Sequence, residues 1–174
     1  MTSPRRLRDR VGAGMRVLFV GINPGMRSAA VGHHFAGSSN RFWRLLDEAR
    51  LVPRPVTWVD DDVMPEWGYG ITNLVARPTP GVQDLSLAEL RAGRRTLETK
   101  VRRWHPEIVA LVGVTVYRAL FNLRGSVTPG PTDVTLSGAR VFVLPNPSGR
   151  NAHYSYDEML TVYRALASDV AGAN

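Results

Sequence analysis

The chain contains no cysteine, so disulfides, thiolate zinc sites and a cysteine nucleophile are all excluded. That absence fits a reducing compartment. Lysine is nearly absent too: Lys100 is the only one among 22 Lys and Arg, which restricts any chemistry that needs a primary amine for a Schiff base. No apolar run approaches the roughly 20 residues needed to span a bilayer. The four histidines are His33, His34, His105 and His153, with no HExxH spacing among them, so no metal and no cofactor is expected. Gly21 to Gly25 lacks both the GxGxxG spacing and the lysine-serine pair of a phosphate loop, which argues against an ordinary nucleotide binder. Internal repeats and low-complexity segments are also missing.

What remains is an ordinary globular composition, 44% hydrophobic and 21% charged over 174 residues, enough for one domain with a sizeable core. The charge is less ordinary. A net +7 and an isoelectric point near 10.7 favour a polyanionic partner, nucleic acid first. A GC-rich codon bias, which the single lysine suggests, would also raise the arginine count. Arg5, Arg6, Arg8 and Arg10 stand almost against the first apolar run, so residues 1–14 are expected to form a flexible basic arm and 15–172 a single domain.

The run Arg16-Val17-Leu18-Phe19-Val20 is apolar and β-branched and breaks abruptly into Gly21-Ile22-Asn23-Pro24-Gly25. A buried strand that delivers one polar side chain to the carboxyl edge of a sheet has this form. Open α/β sheets bind ligands at that edge, which makes Asn23 the first candidate site residue. The pattern then repeats. Tyr69 to Val75 reads as a strand ending on Asn73, Ile108 to Val112 as a strand breaking at Gly113, and Val141 to Leu144 as a strand breaking into Pro145-Asn146-Pro147-Ser148-Gly149-Arg150.

Helices alternate with these strands. Phe42, Leu45, Leu46 and Ala49 share one face of a helix over 39–50. Ser86 to Glu89 and Ser155 to Glu158 are capping boxes that open two more, with Leu90, Leu97, Val101 and Trp104 inward on the first and Met159, Tyr163 and Leu166 inward on the second. A further helix is expected over 115–123 and a short edge strand over 133–136. The Gly/Ser/Ala-rich segment 28–39 reads as a functional loop. The acidic run Asp60-Asp61-Asp62 reads as part of a solvated connector. The expected fold is α/β, three layers around a short, mostly parallel four-stranded sheet. In such a sheet Asn23, Asn73 and Asn146 converge at one edge.

Three amides beside a histidine loop orient groups rather than exchange protons. A reaction suited to them is one in which bond breaking leads and an oriented water follows. N-glycosidic cleavage of a nucleotide has that character, with aimed N–H donors stabilising the departing base. Phe35 offers a face for a flat base, although core packing would equally account for it. The turn Asn146 to Arg150 is compact enough to enter a duplex, although Pro and Gly also favour a plain strand-to-helix turn.

Four motifs carry a closer likeness: Gly21-Ile22-Asn23-Pro24-Gly25, Gly32-His33-His34-Phe35, Asn40-Arg41-Phe42-Trp43 and Asn146-Pro147-Ser148-Gly149. In this order and spacing they resemble the mismatch-specific uracil/thymine DNA glycosylase family, over about Val17 to Leu166. The resemblance implies an α/β/α fold and a cytoplasmic enzyme, working at the bacterial nucleoid, that removes uracil, or in some members thymine or modified pyrimidines, opposite guanine in double-stranded DNA. By position, Asn23 would place the attacking water and Asn146 would steady the departing base. Ile22, Ser28, His34, Phe35 and Asn73 would contact the pyrimidine. Asn40, Pro147, Ser148, Gly149 and Arg150 would face the DNA, with Arg150 in the place of the inserted wedge.

Bacterial members often carry an aliphatic wedge and a lysine where this chain has Arg150 and Asn73. Both departures look like the thymine-acting branch and leave the substrate range open. A relative acting on uracil in every context would usually carry aspartate at the position of Asn23. Lys100, in the capped helix, is expected far from the strand ends, so lyase activity is not expected, with the N-terminal amine as the one remote alternative. Asp84 is either an auxiliary base swinging into the pocket or an exposed loop acid. A monomer is the default. The rival readings are a broad-specificity uracil-DNA glycosylase, a non-catalytic DNA-binding protein on the same fold, and a small-molecule α/β enzyme.

Overall fold

The computed structural model describes residues 6–172. Strands β1 (Val17–Gly21), β2 (Tyr69–Asn73), β3 (Ile108–Val112), β4 (Gly130–Leu136) and β5 (Ala139–Leu144) form one sheet in the order β2-β1-β3-β5-β4. The pairings β1–β2, β1–β3 and β3–β5 are parallel, so four carboxyl ends share one edge. The sheet has five strands rather than the expected four. The fifth, β4, pairs antiparallel with β5 and begins three residues earlier than its sequence suggests, because Pro131 is tolerated on an edge. Ser137 and Gly138, both at positive φ, close the hairpin between them as a two-residue turn of the kind that matches strand twist.

Burial alternates along β1 between two cores. Val17 and Phe19 join Phe42, Leu45, Leu46, Met159, Tyr163 and Leu166 on one face. Leu18 and Val20 join Leu97, Val101, Val116 and Leu120 on the other. Helices α2 (Phe42–Glu48) and α5 (Tyr156–Gly172) therefore cover one face, while α3 (Leu87–Trp104) and α4 (Val114–Phe121) cover the other. The expected three layers are present. Both capping boxes form as their spacing predicts: Ser86 Oγ accepts from Glu89 N while Glu89 accepts from Ser86 N, and Ser155 pairs with Glu158 likewise.

Three local readings change. The segment after β1 contains a short helix, α1 (Met26–Val31), before its loop. The connector before β2 is a 3-10 segment, Trp58–Trp67, and its acidic run is not uniformly solvated. Asp60 closes a capping box with Thr57 and Asp62 is exposed, but Asp61 is fully buried. The N-terminal residues also differ from a free arm, as far as they lie within the described part. Arg10 and Ile71 exchange backbone hydrogen bonds at 2.9 and 2.8 Å, and Leu7 is buried. Arg5 lies outside the described residues. Among the described residues, no helix is long and apolar enough to cross a membrane.

Candidate active site

The strand ends open into a cavity of about 590 Å³. Asn23, Asn73 and Asn146 all line it, together with Ile22, Ser28, His34, Phe35, Asn40, Ser148 and Arg150. Pro147 and Gly149 do not. The convergence that a parallel sheet requires of its strand ends thus brings together three amides from a stretch of more than 120 positions. None of the 24 lining residues is an aspartate or glutamate.

Asn23 leaves β1 where the β1–β2 pairing continues past the strands. Leu74 N donates to the Gly21 carbonyl at 2.8 Å and Val75 N to the Ile22 carbonyl at 2.9 Å. Its amide is clamped from one side: Nδ2 donates to the Arg77 carbonyl at 3.0 Å and to Thr79 Oγ1 at 2.7 Å. Thr79 is buried and spends its own hydrogen on the Gly81 carbonyl at 2.7 Å, so toward Asn23 it can only accept. This fixes the flip of the amide and turns Oδ1 away from the clamp as an acceptor.

The clamping loop is itself tied to α3. Arg77 makes a bidentate pair with Glu89, at 2.6 and 3.0 Å, which holds that carboxyl down to about 2. Asp84 accepts from Gly81 N at 3.1 Å and does not line the cavity. There it closes the same loop as an exposed acid.

The opposite wall is built from the histidine loop. Phe35 adopts φ 51° and lays its half-buried ring on Phe42, with centroids 4.1 Å apart and planes at 33°. A Cβ at Gly21 would sit 2.6 Å from Asn73 Oδ1 and 3.5 Å from the Phe35 ring, so a larger residue there would displace the Asn73 amide. Ser28 is buried and its hydroxyl accepts from Ala36 N at 3.0 Å, which ties α1 to the loop.

His34 is buried as well. Its Nε2–H donates to the Arg8 carbonyl at 2.8 Å, so Nδ1 is left to accept a long contact of 3.5 Å from Asn73 Nδ2. Burial holds the imidazole below its ordinary pKa, against the hydrogen bond to Arg8 and the field of Asp61. The ring is therefore a neutral wall element at pH 7.

Asp61, read as solvated, is the hub of this wall. Its carboxylate pairs with Arg10 Nε at 3.2 Å, with His33 Nδ1 at 2.7 Å, and accepts from His34 N at 2.8 Å. One buried carboxylate thus joins the N-terminal segment, the 3-10 segment and the histidine loop, and Leu7 is carried into the cavity wall. Nothing local in Asp60-Asp61-Asp62 distinguishes the buried member. Lys100, expected far from the strand ends, lies one residue from Asn73 by contact but on the other face of the sheet. Its Nζ pairs with Asp9 at 2.7 Å and donates to Thr72 Oγ1 at 2.9 Å, outside the cavity lining.

The turn after β5 is seated on the segment before α2. Arg41 N donates to the Pro147 carbonyl at 2.9 Å, and Arg41 Nη2 to the Ser148 carbonyl at 3.0 Å. Gly149 lies so close to Ser39 that a Cβ would meet Ser39 Cβ at 2.6 Å. Pro147 and Gly149 therefore serve the seat of the turn. Asn40 caps the start of α2 through Oδ1, which accepts from Phe42 N at 3.0 Å. Asn146 Oδ1 accepts from Ser148 N at 3.0 Å, which leaves the exposed Nδ2 as a donor.

Sequence reasoning missed Thr79, Arg41 and Asp61. All three act through contacts between segments distant in the chain, and although Arg41 falls inside one of the motifs, no local pattern gives any of them its role.

Comparison with known proteins agrees with this fold. The solution structure of a protein from Methanosarcina acetivorans, provisionally assigned as a uracil DNA glycosylase, superposes with a TM-score of 0.63 at 16% identity, covering 94% of this chain and 98% of that one. At that identity the likeness concerns the fold. The model of the uracil DNA glycosylase superfamily matches residues 9–167. These residues include Arg10, every strand and all of the cavity lining except Leu7, and the chain belongs to the uracil DNA glycosylase superfamily.

Proposed function

We propose that the protein is a monofunctional DNA glycosylase that flips uracil, and to a lesser degree thymine or modified pyrimidines, out of mismatches with guanine. It hydrolyses the N-glycosidic bond and leaves an abasic site for base excision repair. The observation that carries this reading is the clamped Asn23 amide in a cavity without a carboxylate. With Nδ2 engaged, Oδ1 accepts a hydrogen bond from a water and aims the water's lone pair at C1′. An amide takes no proton at pH 7, so the glycosidic bond must break first. The bonding pair leaves on the pyrimidine nitrogen and the sugar becomes an oxocarbenium ion. The water oxygen then bonds to C1′ and its proton passes to the departing base or to bulk water.

The other wall residues suit the same reaction. The free Nδ2 of Asn146 is a donor for the carbonyl oxygen on which the base anion's charge collects. Ile22 has its carbonyl taken by Val75, and no described group accepts from its N–H, so that N–H can face the base edge. Phe35, backed by Phe42, supplies a stacking platform. A site that only orients water is slow on a well-stacked pair. It gains most where extrusion is cheap, as it is for a mispaired base, and this supports mismatch selectivity over broad action. A lyase step would need an amine, and Lys100 is committed to Asp9 and Thr72.

Single-turnover excision on duplexes carrying G·U, A·U and G·T, and on single-stranded U, followed by alkali, tests the reading. Strand breaks at G·U well above A·U are expected, with the G·T lane reporting what Arg150 and Asn73 contribute. Equal rates at G·U and A·U would replace mismatch selectivity by broad action. No cleavage in any lane with duplex still bound would leave a DNA-binding protein. Breaks before alkali would overturn the monofunctional assignment.

A further inference from the structure

Beyond the turn Asn146 to Arg150 lies a second cavity, of about 630 Å³. Asn146, Ser148 and Arg150 line both cavities, so the turn is a partition between them. The remaining walls come from the first turns of α4, from the loop at Ser126, and from residues 151–154. Of the 12 lining residues, two are arginines, one is His153 and none is a carboxylate.

Arg118 is already oriented. Its Nε and Nη2 both donate to the Gly125 carbonyl, at 3.1 and 2.7 Å, and Nη1 has no described partner. Thr115 and Ser126 add hydroxyls to the lining. The one tyrosine, Tyr154, is half-buried and packs against the core. A cavity with a preset guanidinium, a second arginine, hydroxyls, no carboxylate and only one half-buried ring suits a phosphodiester rather than a base.

We propose that this second cavity binds the backbone phosphate of the strand complementary to the one that carries the target base, through Arg118 and His153. The inference rests on the glycosylase reading. A turn that fills the gap left by an extruded nucleotide has that nucleotide's strand on the Asn23 side. The surface beyond the turn then faces the other strand. Single-stranded substrate fills only the first cavity, so the second one contributes to the preference for duplex.

The test is binding of a G·U duplex whose uridine carries a 2′-fluorine, which slows cleavage by destabilising the oxocarbenium ion. Single neutral methylphosphonates are walked along each strand in turn. The native protein is expected to lose affinity at one or two positions on the complementary strand, and Arg118→Ala to be insensitive there. Its log-affinity against log-salt slope should be shallower by about one, so that affinity falls roughly threefold less between 50 and 200 mM salt. Excision from single-stranded U should be unchanged. Arg118→Gln, which keeps a donor for the Gly125 carbonyl without the charge, should behave as Arg118→Ala does.

Three results would overturn the proposal: positions silenced by Arg118→Ala that lie on the uracil strand, native affinity in both Arg118 variants, or normal salt dependence in both. The readout does not need turnover. Intact phosphate coupling without excision would sink the glycosylase reading alone, and excision without coupling would sink this site alone.

Discussion

The two walls of the Asn23 cavity are held in place by different means. On one side Asn23, Asn73 and Asn146 follow or end three strands of the parallel ladder β2-β1-β3-β5, positioned by backbone hydrogen bonds that no single side chain controls. On the other side Phe35, His34 and Leu7 sit on loop and N-terminal segments joined through the one buried carboxylate of Asp61. The first arrangement is redundant. The second fails at one point, since removing a buried charge strands its partners. Chemistry and scaffold are accordingly separable on the strand-end wall and fused on the loop wall.

The comparison breaks most visibly at Asp61. Asp61→Ala leaves Arg10 without its counter-charge and His33 and the His34 amide without their acceptor, and should lower unfolding free energy by about 3–5 kcal/mol, read from the denaturant midpoint. Asp61→Asn, which still accepts from His34 N, should lose clearly less. A midpoint unchanged by Asp61→Ala would show that the loop wall has other supports.

On the strand-end wall the converse is expected. Asn23→Ala should cut single-turnover excision by roughly two orders of magnitude or more, about 3 kcal/mol of transition-state stabilisation, with midpoint and duplex affinity close to native. Near-native turnover by that variant would remove Asn23 from the water-positioning role.

Thr79→Val tests whether the clamp, rather than the amide alone, matters. It keeps the shape but cannot accept from Asn23 Nδ2 or donate to Gly81. A loss of about tenfold in excision, about 1.4 kcal/mol, is expected at unchanged duplex affinity. Thr79→Ser should restore most of it. Equal rates for Val and Ser would mean that the carbonyl of Arg77 holds the amide unaided.

The smallest effect concerns pH. His34 has its pKa lowered in the folded protein, chiefly by burial, so the unfolded chain binds more protons on acidification. The stability that neutral His34 contributes is complete above the ordinary value near 6.5 and is lost as pH falls from there through the lowered value. Denaturant midpoints between pH 7.5 and 5.5 should therefore fall more for the native protein than for His34→Asn. Parallel curves would show that His34 does not carry this dependence.

The strand-end wall was legible in the sequence because its causes are local. An apolar β-branched run that stops on Gly, Asn or Pro predicts a strand and the residue at its end, and parallel pairing then sends all such ends to one edge. That reasoning placed Asn23, Asn73 and Asn146 in a single cavity, and the capping boxes at Ser86 and Ser155 opened their helices where the spacing said. The fifth strand was underestimated because its Gly-Pro start carries little β signal. The loop wall was not legible, because Asp60, Asp61 and Asp62 are chemically identical neighbours with three different environments.

Periodicity and chain order alone thus determined the α/β architecture, the edge that bears the site and the three amides. The tertiary structure alone decided which acid is buried, which way the Asn23 amide faces, and that the turn after β5 has a cavity on either side. Local propensity acts over a few residues, whereas each of these depends on groups brought together from segments tens of positions apart, and only the folded chain sets their distances.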